Sequence, residues 1–332
     1  MKPFSPEIRQ NSSMSGPVRT EDATVDPGPA DDVPRPIVEV TPSRTTEVGA
    51  VTVRRALPRR GRRTVGAWCF ADHMGPAEVT EDHGVDIGPH PHIGLQTVTW
   101  LVAGELLHHD SLGSEQQIRP GQLNLMTAGH GIAHAEEPTG RYRGPLHGIQ
   151  LWVAQPERTR HGPPAFEHHA ELPHLELGAG NEATVLLGAV GDTRSPARQD
   201  TDGVGAELAL RAGTSAEVPL VAAFEHALVV LAGSVTVDGV TVTPGHLAYL
   251  GEQRDELALH AAPDEDTRLL LLGGVPFEAP ISMWWNFVAR THDEIDAARD
   301  AWEADDGERF GPVTSHLARV PAPPTPWRSP PG

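Results

Sequence analysis

The sequence predicts an all-β chain built as two tandem barrels with one short C-terminal helix. Three observations carry that prediction. Glycine and proline punctuate the chain every eight to twelve residues, and the runs between them are short and rich in Val, Leu, Thr and Trp, the pattern of strands joined by tight turns. A repeat is visible, since LVAGE (101–105) followed by RPGQL (119–123) is echoed by VLAGS (230–234) followed by TPGHL (243–247). In each copy Ala-Gly ends a strand and Pro-Gly opens a second turn before another apolar strand. Helix signals concentrate at Thr291-His-Asp-Glu294, a capping box ahead of IDAARDAWEA, which predicts a helix over 292–304.

Composition bounds the rest. At 332 residues the chain has room for two domains, each with its own core. Residues 1–35 are proline-rich and poor in large apolar side chains, so they predict a disordered tail; 36–157 and 165–305 are the two barrels, joined by the polar QPERTRHGPPA near 155–165. The proline-rich 306–332 is expected to lie outside the folded core as an extended tail. One cysteine, Cys69, excludes an internal disulfide framework, and the first residues have no apolar signal-peptide segment. A cytoplasmic protein is therefore expected. No apolar run approaches the roughly 20 residues a membrane helix needs, and a net charge of -19 would repel nucleic-acid phosphates. Neither membrane nor direct nucleic-acid binding is expected. Arg54, Arg55, Arg59, Arg60, Arg62 and Arg63 form a basic island, read either as a solvated or internally paired loop or as a docking patch for a protein partner.

The chemistry concentrates in two short motifs. In His90-Pro91-His92 the histidines are two apart, so an extended strand points both imidazoles to one side, and the proline favours that extended backbone. His134-Ala135-Glu136 repeats the spacing and adds a third nitrogen and a carboxylate. Three imidazoles and one carboxylate suit a single divalent transition metal with one or two open positions. Fe, Mn, Ni, Cu and Zn are all compatible, with Fe(II) favoured by availability and geometry. The repeat supplies an internal control. His90 and His92 precede Gly104 by fourteen and twelve residues, and those offsets from Gly233 give Pro219 and Val221. His134 and Glu136 follow Gly121 by thirteen and fifteen, and those offsets from Gly245 give Ala258 and His260. Only the first barrel is expected to hold a metal.

From about Val53 to Trp302 the chain resembles the pirin family of the cupin superfamily. The resemblance rests on HPHIGLQTVTWLVAGELLHHDSLGS (90–114), IRPGQLNLMTAGHGIAHAEE (118–137), HGIQLWV (147–153) and PISMWWNFVARTHDEI (280–295). It implies two cupin barrels, each a double-stranded β-helix or jelly roll, and a metal carried by the residues that fall here on His90, His92, His134 and Glu136. Pirins usually have Glu where this chain has Gln96; an uncharged amide there would bind a hard cation less well and could not act as a base, or it would simply hydrogen-bond an interior group. His108 or His109 is a candidate to support a ligand from behind, or is surface-exposed. His130, His147 and Gln150 either border the cavity or are ordinary core polar residues, and Trp100, Trp152, Trp284 and Trp285 are pocket walls or core. The resemblance implies a metal-dependent dioxygenase acting on quercetin or a related flavonol, with Glu136 as the group that accepts the substrate proton. The alternative it implies is a metal-binding regulatory protein, a co-regulator of transcription or of a metabolic enzyme, that docks a protein partner without turnover.

Overall fold

Short apolar or alternating runs closed by glycine turns suit strands, and this is how the chain folds. The computed structural model describes residues 38–48, 51–80 and 84–328; the predicted tail 1–35 lies outside the described residues. Each barrel is a seven-stranded sheet facing a four-stranded one. In the first, the large sheet runs Ala165–His169, Leu123–Thr127, Leu95–Ala103, Gly144–Ala154, Trp68–Val79, Val51–Leu57 and Arg44–Val48. Its small sheet runs Ile87–His92, Ile132–Glu137, Leu106–Asp110 and Glu115–Ile118.

The sequence repeat is a structural repeat. LVAGE ends the strand Leu95–Ala103 and VLAGS ends Glu225–Ala232, and each strand pairs with the one that follows its Pro-Gly turn, Leu123–Thr127 and His246–Gly251 respectively. Two strands cross the expected division near 157–165. Glu39–Pro42, at the start of the segment expected to form the first barrel, pairs with His246–Gly251 in the second, and Ala165–His169, from beyond the linker, pairs with Leu123–Thr127 in the first. The exchange is reciprocal, because the two acceptor strands are the equivalent members of the repeat.

Strand periodicity sends neighbouring side chains to opposite faces. From Leu95–Ala103, Val98 and Trp100 join Ala227, Leu270 and Leu272 in a buried cluster between the two large sheets, while Leu95 packs inside the barrel with Met126 and Trp152. Trp68 crosses the same interface, its indole N–H donating to Val204 O at 3.0 Å. Gly205 lets it approach, since a Cβ there would lie 2.6 Å from the Trp68 ring. The second barrel fills its interior with Val218, Val230, Leu250, Leu259 and Leu271. The four positions at the motif's sequence offsets in the second copy, Pro219, Val221, Ala258 and His260, are all exposed.

The predicted helix is His292–Ala304, with Thr291 Oγ1 accepting from Glu294 N at 3.2 Å. The capping box is only half closed: Glu294 accepts instead from Arg290 N at 2.8 Å and from Arg160 at 2.9 Å. The segment after the helix departs from its expected place outside the core. Phe310 and Ala322 are buried with Phe287 and Trp302, and the Trp327 ring stacks on His292 at 3.9 Å. Composition hid this, because three widely spaced apolar anchors suffice to dock an otherwise proline-rich strap.

The arginine island is largely committed inside the molecule. Arg54 donates to Gly75 O and Arg59 to Pro42 O, and Arg62 pairs with Glu39 at 3.1 Å while lying 3.2 Å over the Tyr249 ring. Arg55, only 3% exposed, forms two parallel bonds of 2.7 and 2.6 Å to the equally buried Asp72. Of the six, only Arg60 is exposed, and the four pairings favour the internally paired reading of the island. Removing one partner of a buried ion pair strands the other without solvent, so Arg55→Met should cost about 3–5 kcal/mol in urea unfolding. Adding Asp72→Leu should recover much of that; a loss below about 1 kcal/mol in the single variant would show the pair to be solvated.

Candidate metal centre

Strand pairing assembles the site. Ile87–His92 lies antiparallel to Ile132–Glu137 with His90 opposite His134 and His92 opposite Ile132. The i, i+2 spacing puts His90 and His92 on one face, and the cross-strand pairing brings His134 to them. Ring centroids are 4.3 Å apart for His90 and His134 and 5.0 Å for His92 and His134. One ligating atom from each of the three lies within 4.8 Å of the others, the one such group among the described residues.

Backbone carbonyls orient the first two rings. His90 Nδ1 lies 2.9 Å from Gly88 O, and His92 Nδ1 lies 2.9 Å from Asn286 O. A carbonyl only accepts, so both rings carry their proton on Nδ1 and leave Nε2 as a free lone pair. Asn286 stands in the two-residue turn between Ser282–Trp284 and Phe287–Ala289, and its neighbour Trp285 has φ +52°. That left-handed conformation is costly for a bulky residue and is held here by the packing around it. All three histidines are buried, and burial depresses their basicity, to about 4 for His90 and well below the ordinary value for His92 and His134. They are therefore neutral at physiological pH, the state a metal requires.

Glu136 sits differently. The register slips by one residue between His134 and Glu136, and the carboxylate falls outside the 4.8 Å group formed by the three nitrogens. Its Oε1 is 3.4 Å from Thr99 Oγ1, which is also 3.0 Å from Gln150 Oε1. Burial raises the Glu136 carboxyl to about 7, with the Thr99 hydrogen bond opposing it.

The other candidates separate cleanly. Gln96 does not face the histidines: it donates to Thr127 Oγ1 at 2.9 Å, on the side of the sheet that carries Val98 and Trp100 toward the second barrel. Its amide in place of a carboxylate does not touch the ligand set, and its partner is a side-chain hydroxyl on the adjacent strand. His147 also points away from the centre, its Nε2 2.8 Å from Nε2 of the buried His73. His130 is exposed. Trp152 borders the centre, 5.2 Å from the His92 ring and stacked on Phe70 at 4.0 Å, whereas Trp100 belongs to the interface between barrels. Of the neighbouring pair, His108 is buried and turned inward, with Nδ1 3.4 Å from His134 Nδ1, and His109 on the opposite face is partly exposed. Asp110, Phe166 and Asn286 have no counterpart among the residues singled out from sequence. The i, i+2 spacing of His108 and Asp110 was a usable signal, but Asn286, 194 residues from His92, had none.

The donor set fits a transition metal: buried, neutral, convergent imidazoles, with the outward N–H groups of His90 and His92 already satisfied. Comparison with known proteins agrees with this picture. Residues 50–153 match the Pirin family and residues 205–310 match the Pirin C-terminal cupin domain. A Pseudomonas aeruginosa protein provisionally named quercetin 2,3-dioxygenase is 48% identical over 86% of this chain and 90% of its own length. The crystal structure of quercetin 2,3-dioxygenase from Acinetobacter baumannii superposes with a TM-score of 0.83 at 43% identity, covering 88% of this chain and 97% of that one. At the level of fold alone, an Escherichia coli bacterial pirin solved with nickel(II) gives a TM-score of 0.57 at 20% identity, over 72% of this chain and 99% of that one. Paired cupin barrels, the three-histidine centre and these matches together establish that this chain belongs to the pirin family.

Proposed function

We propose that the chain binds one divalent transition metal, Fe(II) in preference to Mn, Ni, Cu or Zn, on His90, His92, His134 and Glu136, and uses it as a dioxygenase acting on quercetin or a related flavonol. The observation that carries this is the convergence of three buried, neutral imidazoles. The names borne by the Pseudomonas and Acinetobacter relatives supply the substrate class. When bound, the metal would hold a flavonol oxygen, lower its proton affinity and ready the electron-rich ring for dioxygen.

The protein's own groups have distinct tasks in this reading. Burial raises the Glu136 carboxyl to about 7 before a metal binds, making it a stronger proton acceptor than an exposed carboxylate, and it takes the role of general base as well as fourth ligand. Thr99 Oγ1 lies 3.4 Å from its Oε1. Trp152, with Met126, Ile281 and Met283 around it, supplies an apolar wall that receives an aromatic ring and excludes water.

Two measurements test this. Metal-stripped protein reloaded separately with Fe(II), Mn(II), Ni(II), Cu(II) or Zn(II) should consume quercetin under air with at least one of them, followed by loss of flavonol absorbance. His90→Ala should lose its stoichiometric metal by elemental analysis. Absence of turnover with every metal leaves a binding protein without catalysis, and full metal retention in the variant removes His90 from the ligand set. The role of Glu136 has its own check, because a carboxyl protonated below about 7 must release its proton to bind a cation. Metal binding at pH 6 should release about one proton more from the wild type than from Glu136→Gln, measured by titration in weakly buffered solution; equal release would exclude the carboxylate as a ligand.

A further inference from the structure

Two of the three histidines are oriented by backbone carbonyls, but His134 has none. Its Nδ1 instead faces Nδ1 of His108 at 3.4 Å, while His108 Nε2 lies 3.1 Å from Asp110 Oδ2. The direction of both bonds follows from the far end. Asp110 Oδ1 accepts from Leu112 N at 2.9 Å and from Ser114 N at 3.0 Å, which fixes the carboxylate and leaves Oδ2 as an acceptor for His108. A carboxylate can only accept, so His108 carries its proton on Nε2 and presents a lone pair at Nδ1. That lone pair in turn requires the proton of His134 to sit on Nδ1. The Nε2 of His134 is then a bare lone pair 3.1 Å from that of His92; the competing arrangement, with the His134 proton on Nε2 and donated to His92, would leave the lone pairs of His134 Nδ1 and His108 Nδ1 facing each other at 3.4 Å.

Packing keeps the intermediate ring in place. His108 stacks on Phe166 with centroids 4.4 Å apart and planes 13° from parallel. Phe166 belongs to Ala165–His169, the strand donated from beyond the linker.

We propose that His108 and Asp110 are positioning residues for the metal centre, acting as a relay in which one carboxylate fixes the tautomer of two successive imidazoles and so keeps His134 Nε2 available as a ligand. The inference rests on reading His134 as a metal ligand, and its test uses neither quercetin nor turnover.

Asp110→Asn is the informative variant. The backbone N–H groups of Leu112 and Ser114 hold the amide oxygen, so the NH2 group must face His108 and donate to it. Both rings then reverse, and the His134 proton moves to Nε2, where a metal would bind. In metal-free, 15N-labelled full-length protein, long-range 15N–1H correlation spectra should show His134 as the Nδ1–H tautomer in the wild type and as Nε2–H in Asp110→Asn. Co(II) affinity, measured by competition with a chelating dye, should fall about 10- to 100-fold in the variant. Should Asp110→Asn not fold, His108→Phe keeps the stack on Phe166 but removes the acceptor; it should abolish the Nδ1–H preference and weaken Co(II) binding about tenfold. A wild-type His134 in the Nε2–H form, or variants with wild-type tautomer and affinity, would overturn the relay. Failure of the wild type to bind Co(II) despite the Nδ1–H tautomer would instead overturn the metal reading on which it rests.

Discussion

Face-to-face packing of the two large sheets is the constraint on which the rest of the molecule depends. The strand Leu95–Ala103 gives Val98 and Trp100 to that interface and Leu95 and Thr99 to the barrel interior, so alternation along one strand serves two buried surfaces at once. A one-residue slip would exchange them, placing tryptophan among the histidines and threonine between the barrels. Reciprocal donation of Glu39–Pro42 and Ala165–His169 locks the arrangement, because each barrel completes its sheet with chain from outside its own repeat. The exchange also reaches the three-histidine cluster, since Phe166, which stacks on His108, arrives on a donated strand.

Desolvation then does opposite things to the two kinds of donor. It keeps the imidazoles neutral, which prepares them for a cation, and it makes the Glu136 carboxyl hold its proton up to about 7, which opposes charge until a cation or substrate compensates. Outward N–H groups on two of the rings limit the cost of this burial, because the Nδ1 protons of His90 and His92 have carbonyl acceptors. The second barrel has the same topology and none of this chemistry, its interior closed by Val218, Leu250, Leu259 and their neighbours. Duplication supplied the architecture twice, and the polar site survives where backbone and side-chain acceptors exist to satisfy it.

Much of this was legible in the sequence because it follows local periods. Repeat, barrel class, helix and the two-apart histidines are all short-range patterns, and the i, i+2 rule alone predicts that His90 and His92 share a face. Gln96 was also readable in principle: it shares its parity with Val98 and Trp100 rather than with Thr99, which marks it as facing the interface. What sequence could not supply is long-range pairing. The Asn286 carbonyl, the donated strands and the register slip that sets Glu136 apart depend on which segments meet, and no local pattern encodes that. The C-terminal strap was misjudged because composition averages over residues, and Phe310, Ala322 and Trp327 act singly.

That strap has a bearing on colloidal behaviour. Ile87–His92 is the outer strand of its sheet, and an uncovered outer strand offers its free N–H and C=O groups to any passing chain. Here the segment after the helix occupies the position. Val320 N donates to Pro89 O at 2.9 Å, and Ala318 lies so close over Gly88 that a Cβ there would sit 2.1 Å from its carbonyl oxygen. Residues 318–320 thereby cover the outer edge of the strand that carries His90 and His92, which leaves it less open to the intermolecular strand pairing by which exposed edges seed aggregates.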